Sequence, residues 1–146
     1  MPRGLIQVTP KMLSRPGPPG IPASYSHGLA WRDLLFISGQ VAYGPDGKVI
    51  RGGVAEQTRQ ALENMKKICE EGGTSIRNVV KVTVYMTDIG DFAEMNRVYK
   101  GYFDIPPTRT TVEVSSLVKT GGAKGLVVEI EGIAVIPRSS RKRSSD

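Results

Sequence analysis

The sequence holds one cysteine, Cys69, and one histidine, His27, in 146 residues. That scarcity excludes an intramolecular disulfide, a Cys/His zinc cluster and any mechanism that needs two imidazoles. Long apolar runs are also missing. Met1 to Val8 lacks the apolar stretch of roughly 7 to 15 residues that a signal peptide carries. Nothing approaches the roughly 18 apolar residues of a membrane span, so no membrane partner and a cytoplasmic location are expected. There is no Gly-x-Ser-x-Gly nucleophile turn, no dinucleotide fingerprint and no metal-ligand spacing, so no cofactor is expected.

What is present is ordinary for a folded domain: 39% hydrophobic and 23% charged residues, too apolar for a disordered chain. At roughly 150 residues per domain the length predicts one core. The net charge of +6 invites a nucleic-acid reading. Much of it, however, sits in Arg138 to Asp146, which holds four basic residues and one acid and reads as a solvated tail or a phosphate-binding arm. Pro10 to Pro22 carries five of the ten prolines and two glycines, which suits neither helix nor central strand. The expected division is therefore a Pro/Gly-rich extended arm over residues 1–22, a single domain over 23–137 and a basic, disordered tail over 138–146.

Within the domain, Tyr25 to Trp31 and Leu34 to Gln40 read as two strands joined by a turn at Arg32-Asp33. Pro45-Asp46-Gly47 marks another turn before a short extended piece at Lys48 to Arg51. Val54, Ala61, Leu62, Met65, Ile68 and Cys69 recur at helical steps, so Val54 to Glu71 is predicted as an amphipathic helix ended by Gly72-Gly73. Cys69 on that stripe reads as a small buried hydrophobe. Val79 to Met86 alternates as a half-buried strand. A second helix follows, with Asp91 as N-cap, Glu94 three residues on, and an apolar face of Phe92, Met95, Val98, Tyr99, Tyr102 and Phe103. Thr108 to Ser115 and Leu126 to Ile136 read as two further strands. The loop Thr120 to Gly125 between them lacks the spacing of a phosphate cradle. This order predicts an α+β sandwich with both helices on one face of a mixed sheet.

Polar side chains inside apolar strands are the candidates for chemistry, because burial without a partner is costly. Arg109, Thr111 and Glu113 share one face by the period of two, and the Arg109 guanidinium is a fork suited to a carboxylate. An arginine at such a place also serves in ordinary ion pairs. Glu129 and Glu131 share a face of the last strand, where partial burial raises a carboxyl's proton affinity and fits it to shuttle protons.

The segments Tyr25-Ser26-His27-Gly28, Leu35 to Gln40, Gln57 to Lys66, Asn78 to Met86, Phe92 to Asn96, Pro107 to Val114 and Val128 to Ala134 resemble, in order, the RidA/YjgF family of reactive imine and enamine deaminases. The resemblance implies a chorismate-mutase-like α+β sandwich, with a mixed β-sheet of about six strands and two helices packed on one face. It also implies a homotrimer with sites in clefts between subunits. Arg109 matches the arginine that pairs with the substrate carboxylate, and Glu129 the glutamate that activates water. Tyr25, Ser38, Gly39 and Asn96 fall on positions lining the cleft, and Thr111 on one that is often cysteine. Ser24 replaces a usual proline, and the loop Val118 to Gly125 is longer than usual. The expected activity is hydrolytic deamination of 2-imino or 2-enamino carboxylates such as 2-aminoacrylate, giving 2-keto acid and ammonia. The alternatives are an aminomuconate-like enamine substrate, a non-catalytic carboxylate-binding trimer and an RNA-acting trimer.

Overall fold

The computed structural model describes residues 4–8, 24–118 and 125–138. Its strands are β1 (Leu5–Val8), β2 (Gly28–Trp31), β3 (Leu34–Gln40), β4 (Val79–Met86), β5 (Thr108–Glu113) and β6 (Val128–Val135), and its helices are α1 (Val54–Glu71) and α2 (Phe92–Tyr99). The strands form one mixed sheet in the order β1-β2-β3-β6-β4-β5. Only β4 and β5 run parallel, and α2 lies in the connection between them.

The period-two pattern divides the sheet into two faces. Leu35 and Ile37 of β3, Val82, Val84 and Met86 of β4, and Val128, Ile130 and Ala134 of β6 turn to the helices. There they meet Leu62, Met65, Ile68 and Cys69 of α1 and Met95 and Tyr99 of α2. Leu35, Leu62, Met65, Ile68, Met86, Met95 and Ile130 are fully buried, each contributing about 1.5 to 3 kcal/mol of transfer free energy. Burial also pushes the Cys69 thiol up to about 12, with the Glu70 charge adding to it. The other face carries Leu29, Trp31, Phe36, Ile133 and Val135 and has no layer over it among the described residues. Trp31 is 39% exposed there, Phe36 41% and Val135 38%.

Helix α1 has the predicted limits, and the Arg32-Asp33 turn joins β2 to β3 with Arg32 at φ +54°. Several expectations need correction. Residues 5–8, read as part of an extended arm, form β1, which pairs antiparallel with β2 from Leu5 against Trp31 to Val8 against Gly28. The segment Lys48 to Arg51 contributes only one isolated bridge, Tyr43 with Val49. The sixth strand is therefore β1. The first hairpin strand begins at Gly28, not Tyr25. Asp91 makes no side-chain cap on α2; Asp88 instead accepts from Gly90 N at 2.8 Å and caps the 3₁₀ turn before the helix. Phe92 is 37% exposed and lies outside the core. Most of the Thr120 to Gly125 loop and nearly all of the basic tail fall outside the described residues. No helix among the described residues is long and apolar enough to cross a membrane.

Candidate functional site

The parallel register sets Arg109 of β5 beside Val82 and Thr111 beside Val84. Adjacent Cα partners direct their side chains to the same face, so Arg109 and Thr111 point to the helix side, at the sheet's edge. Arg109 Nη1 donates to Asn96 Oδ1 of α2 at 2.7 Å. The guanidinium lies 4.6 Å from the Tyr99 ring centroid and 5.4 Å from that of Phe92. Aromatic faces of this kind hold the cation by its charge while leaving its remaining N–H donors free to bind. Burial pushes the Tyr99 hydroxyl up to about 12, and the Arg109 charge works against that shift. Thr111 Oγ1 is buried without a hydrogen-bond partner among the described residues. Among the described residues no carboxylate pairs with Arg109; the ion pair there is the exposed Arg77–Asp104. Asn96, Arg109 and Thr111 thus form one cluster, a held fork able to take an anion.

Glu129 belongs to the other face. It is the Cα partner of Tyr85, between the buried Val128 and Ile130. On β3 the register slips by one residue between Ile37 and Gln40, a β-bulge containing Ser38 and Gly39. The Gln40 side chain takes over the bulge's Ser38 carbonyl at 2.9 Å. Gly39 lies so close to Glu129 that any Cβ there would overlap Glu129 Oε1. Burial, and next the charge of Glu131, raise the Glu129 carboxyl above the usual range. Ser38 Oγ donates to Ser26 O at 2.6 Å and Ser38 N to His27 O at 2.9 Å. Tyr25 is 62% exposed, its ring set edge-on 5.7 Å from that of His27. Ser38, Leu29, Phe36, Lys81, Thr83, Glu131 and Ile133 line a shallow hollow of about 430 Å³ on the same open face.

The expected site residues therefore divide into two groups. Asn96, Arg109 and Thr111 stand on the helix side of β5, and Ser38, Gly39 and Glu129 come together where β3 meets β6, with Tyr25 exposed beside His27 ahead of β2. Within one chain the sheet separates them.

Sequence reasoning passed over Gln57. It is 2% exposed; its Nε2 donates to Gly125 O at 2.6 Å and its Oε1 accepts from Val127 N at 2.9 Å. Those bonds fix the chain just before Glu129. A glutamine on the apolar stripe of α1 was the available signal. Among the described residues, no group of three or more His, Cys, Asp or Glu could hold a metal ion.

The family model described as endoribonuclease L-PSP matches residues 18–136. A RutC family protein of Pyrococcus abyssi is 43% identical over 112 residues, covering 75% of this chain and 84% of its own. The human protein named 2-iminobutanoate/2-iminopropanoate deaminase is 38% identical over 127 residues, covering 86% and 89%. Among solved structures, a Rid family protein of unknown function from Yersinia pestis superposes with a TM-score of 0.77 at 32% identity, covering 91% of this chain and all of its own. E. coli TdcF with bound serine superposes with a TM-score of 0.70 at 39% identity, covering 80% and 91%.

Proposed function

The chain belongs to the endoribonuclease L-PSP family, which includes the Rid proteins, and from that premise we propose that it is a hydrolytic deaminase of 2-imino and 2-enamino carboxylates, working as a homotrimer. The observation that carries this reading is the pairing of an aromatic-held arginine fork with a second cluster around a glutamate of raised proton affinity. The relatives named as imine deaminases and the relative with bound serine support a small carboxylate-bearing ligand.

Because the sheet separates the two groups, a complete site takes Arg109 from one protomer and Glu129 from its neighbour. The exposed Trp31, Phe36 and Val135 supply the apolar surface that such an assembly would cover. In the site, the Arg109 fork binds the substrate carboxylate. Glu129 accepts a proton from water as the water oxygen bonds to the imine carbon and passes that proton to the nitrogen, giving a carbinolamine. The same carboxylate then carries the carbinolamine hydroxyl proton to the nitrogen as the C–N bond breaks and the C=O bond forms, and ammonia leaves a 2-keto acid. Imines already hydrolyse in water, so positioning and one shuttle suffice, the shuttle contributing about 10² to 10⁴ in rate.

The test generates 2-aminoacrylate with a serine or threonine dehydratase and follows its loss with wild type, Arg109→Ala and Glu129→Gln. Acceleration by wild type that both variants lose is the expected result. Absence of acceleration by wild type would overturn the reading, and acceleration surviving in Arg109→Ala would remove the fork's role. Retained binding of a 2-keto acid without turnover would identify a carboxylate-binding module.

A further inference from the structure

The surroundings of Glu129 differ on its three strands. Gly39 on β3 leaves it room. Tyr85 on β4 is its direct Cα partner, yet the Tyr85 hydroxyl reaches along β6 and donates to Glu131 Oε1 at 2.5 Å. Glu131 stands two residues beyond Glu129 on the same face, opposite Thr83, and the exposed Lys81 lies one step farther, opposite Ile133. Among the described residues, no lysine or arginine is ion-paired with either glutamate.

Two carboxylates on one face repel each other. A free Glu131 would swing toward water and away from Glu129, because like charges separate when a rotamer permits it. The Tyr85 hydroxyl prevents that by anchoring Glu131 on the sheet. We propose that Glu131, clamped by Tyr85, is a positioning residue for Glu129: a second carboxylate fixed beside the first, so that the Glu129 carboxyl keeps hold of a proton delivered by water until the nitrogen takes it. The inference rests on the deaminase reading for its chemical purpose, while the coupling itself is a property of the fold.

The electrostatics agree with the geometry. After burial, the Glu131 charge is what raises Glu129. The hydrogen bond to Glu131 is the first cause of the upward shift at Tyr85, so the phenol stays protonated and remains a donor. A shuttle works best when its proton affinity lies close to the working pH, where it can both take and return the proton. The clamp moves Glu129 in that direction without touching substrate.

The experiment uses the full-length chain and the variants Tyr85→Phe and Glu131→Gln, with Tyr85→Phe keeping the ring that fills the sheet face. Carbon-detected NMR titration follows the Glu129 carboxyl, its resonance identified by its loss in Glu129→Gln. The midpoint is expected to fall in Glu131→Gln and to fall by less in Tyr85→Phe. At pH 7, kcat for imine hydrolysis should fall about threefold to tenfold in both. KM should hold, because Arg109 still binds the carboxylate. A midpoint unchanged or raised in Glu131→Gln would overturn the proposal, as would one that falls there but keeps its wild-type value in Tyr85→Phe. A wild type that hydrolyses no imine would overturn the deaminase reading instead, while the titration would still decide the coupling.

Discussion

Replacing Gly39 by alanine should separate the chemistry of the site from the stability of the fold. A Cβ at this position would lie 2.8 Å from Glu129 Cδ and 2.9 Å from Cγ, besides overlapping Oε1. Carbon atoms settle at about 3.5 to 4.0 Å, so the Glu129 side chain has to withdraw by about 1 Å. The backbone at Gly39 lies outside the left-handed region, so alanine itself is not strained there, and the obstacle is the movable end of a side chain. The stability cost should therefore stay below about 1 kcal/mol. A 1 Å misplacement of a reacting group costs about 10²-fold in rate, or about 2.7 kcal/mol at the transition state. The assay measures kcat/KM for imine hydrolysis and urea unfolding on one preparation. A folded Gly39→Ala protein retaining a rate within about threefold of wild type would refute the argument. On a Glu129→Gln background the alanine should change the rate little, since the proposed shuttle is already absent there.

Glu129, raised in the folded state by burial and by Glu131, favours folding when protonated. Its contribution is full below the unfolded carboxyl range and is lost as pH rises through the folded value. Glu129→Gln should therefore be more stable than wild type at neutral pH, with the difference closing toward pH 4 in urea unfolding; a gap that widens toward acid would contradict the burial argument. Gln57→Ala removes both bonds to residues 125–127 and should cost about 1 to 3 kcal/mol, seen as a lower Tm together with a lower kcat. An unchanged kcat in that variant would show that the start of β6 is held by other contacts. Cys69, buried with its thiol pushed up to about 12, should resist iodoacetamide at pH 8 in the native protein and react once urea unfolds it.

The parts legible in the sequence were those governed by local periodicity. Helix α1 has its predicted limits because its apolar residues repeat at helical steps with Gly72-Gly73 after them, and β4 because it alternates through Val82, Val84 and Met86. Strand β1 was missed because four residues preceding a proline-rich stretch offer too short a pattern; their partner on β2 supplies the order. Asp91 has the spacing of a cap, but Asp88 shapes the turn first. The site shows the same boundary. The shared face of Arg109 and Thr111 follows from alternation along one strand. That Glu129 faces the opposite way depends on β4 lying between β5 and β6, which is pairing between distant segments. The close approach of Gly39 to Glu129 depends on a bulge that no local signal announces.

The separation of Arg109 and Glu129 by the thickness of the sheet has a genetic consequence. In an assembly whose sites join the Arg109 side of one protomer to the Glu129 side of the next, Arg109→Ala and Glu129→Gln damage different halves. An equal mixture of the two inactive proteins, unfolded and reassembled together, would contain intact sites at about a quarter of positions by random partnering. Both lesions in a single chain, mixed with wild type, would leave that same quarter intact, from wild-type neighbours alone. Two defective alleles of this gene in one cell would then complement each other, and a double mutant paired with a null allele would not.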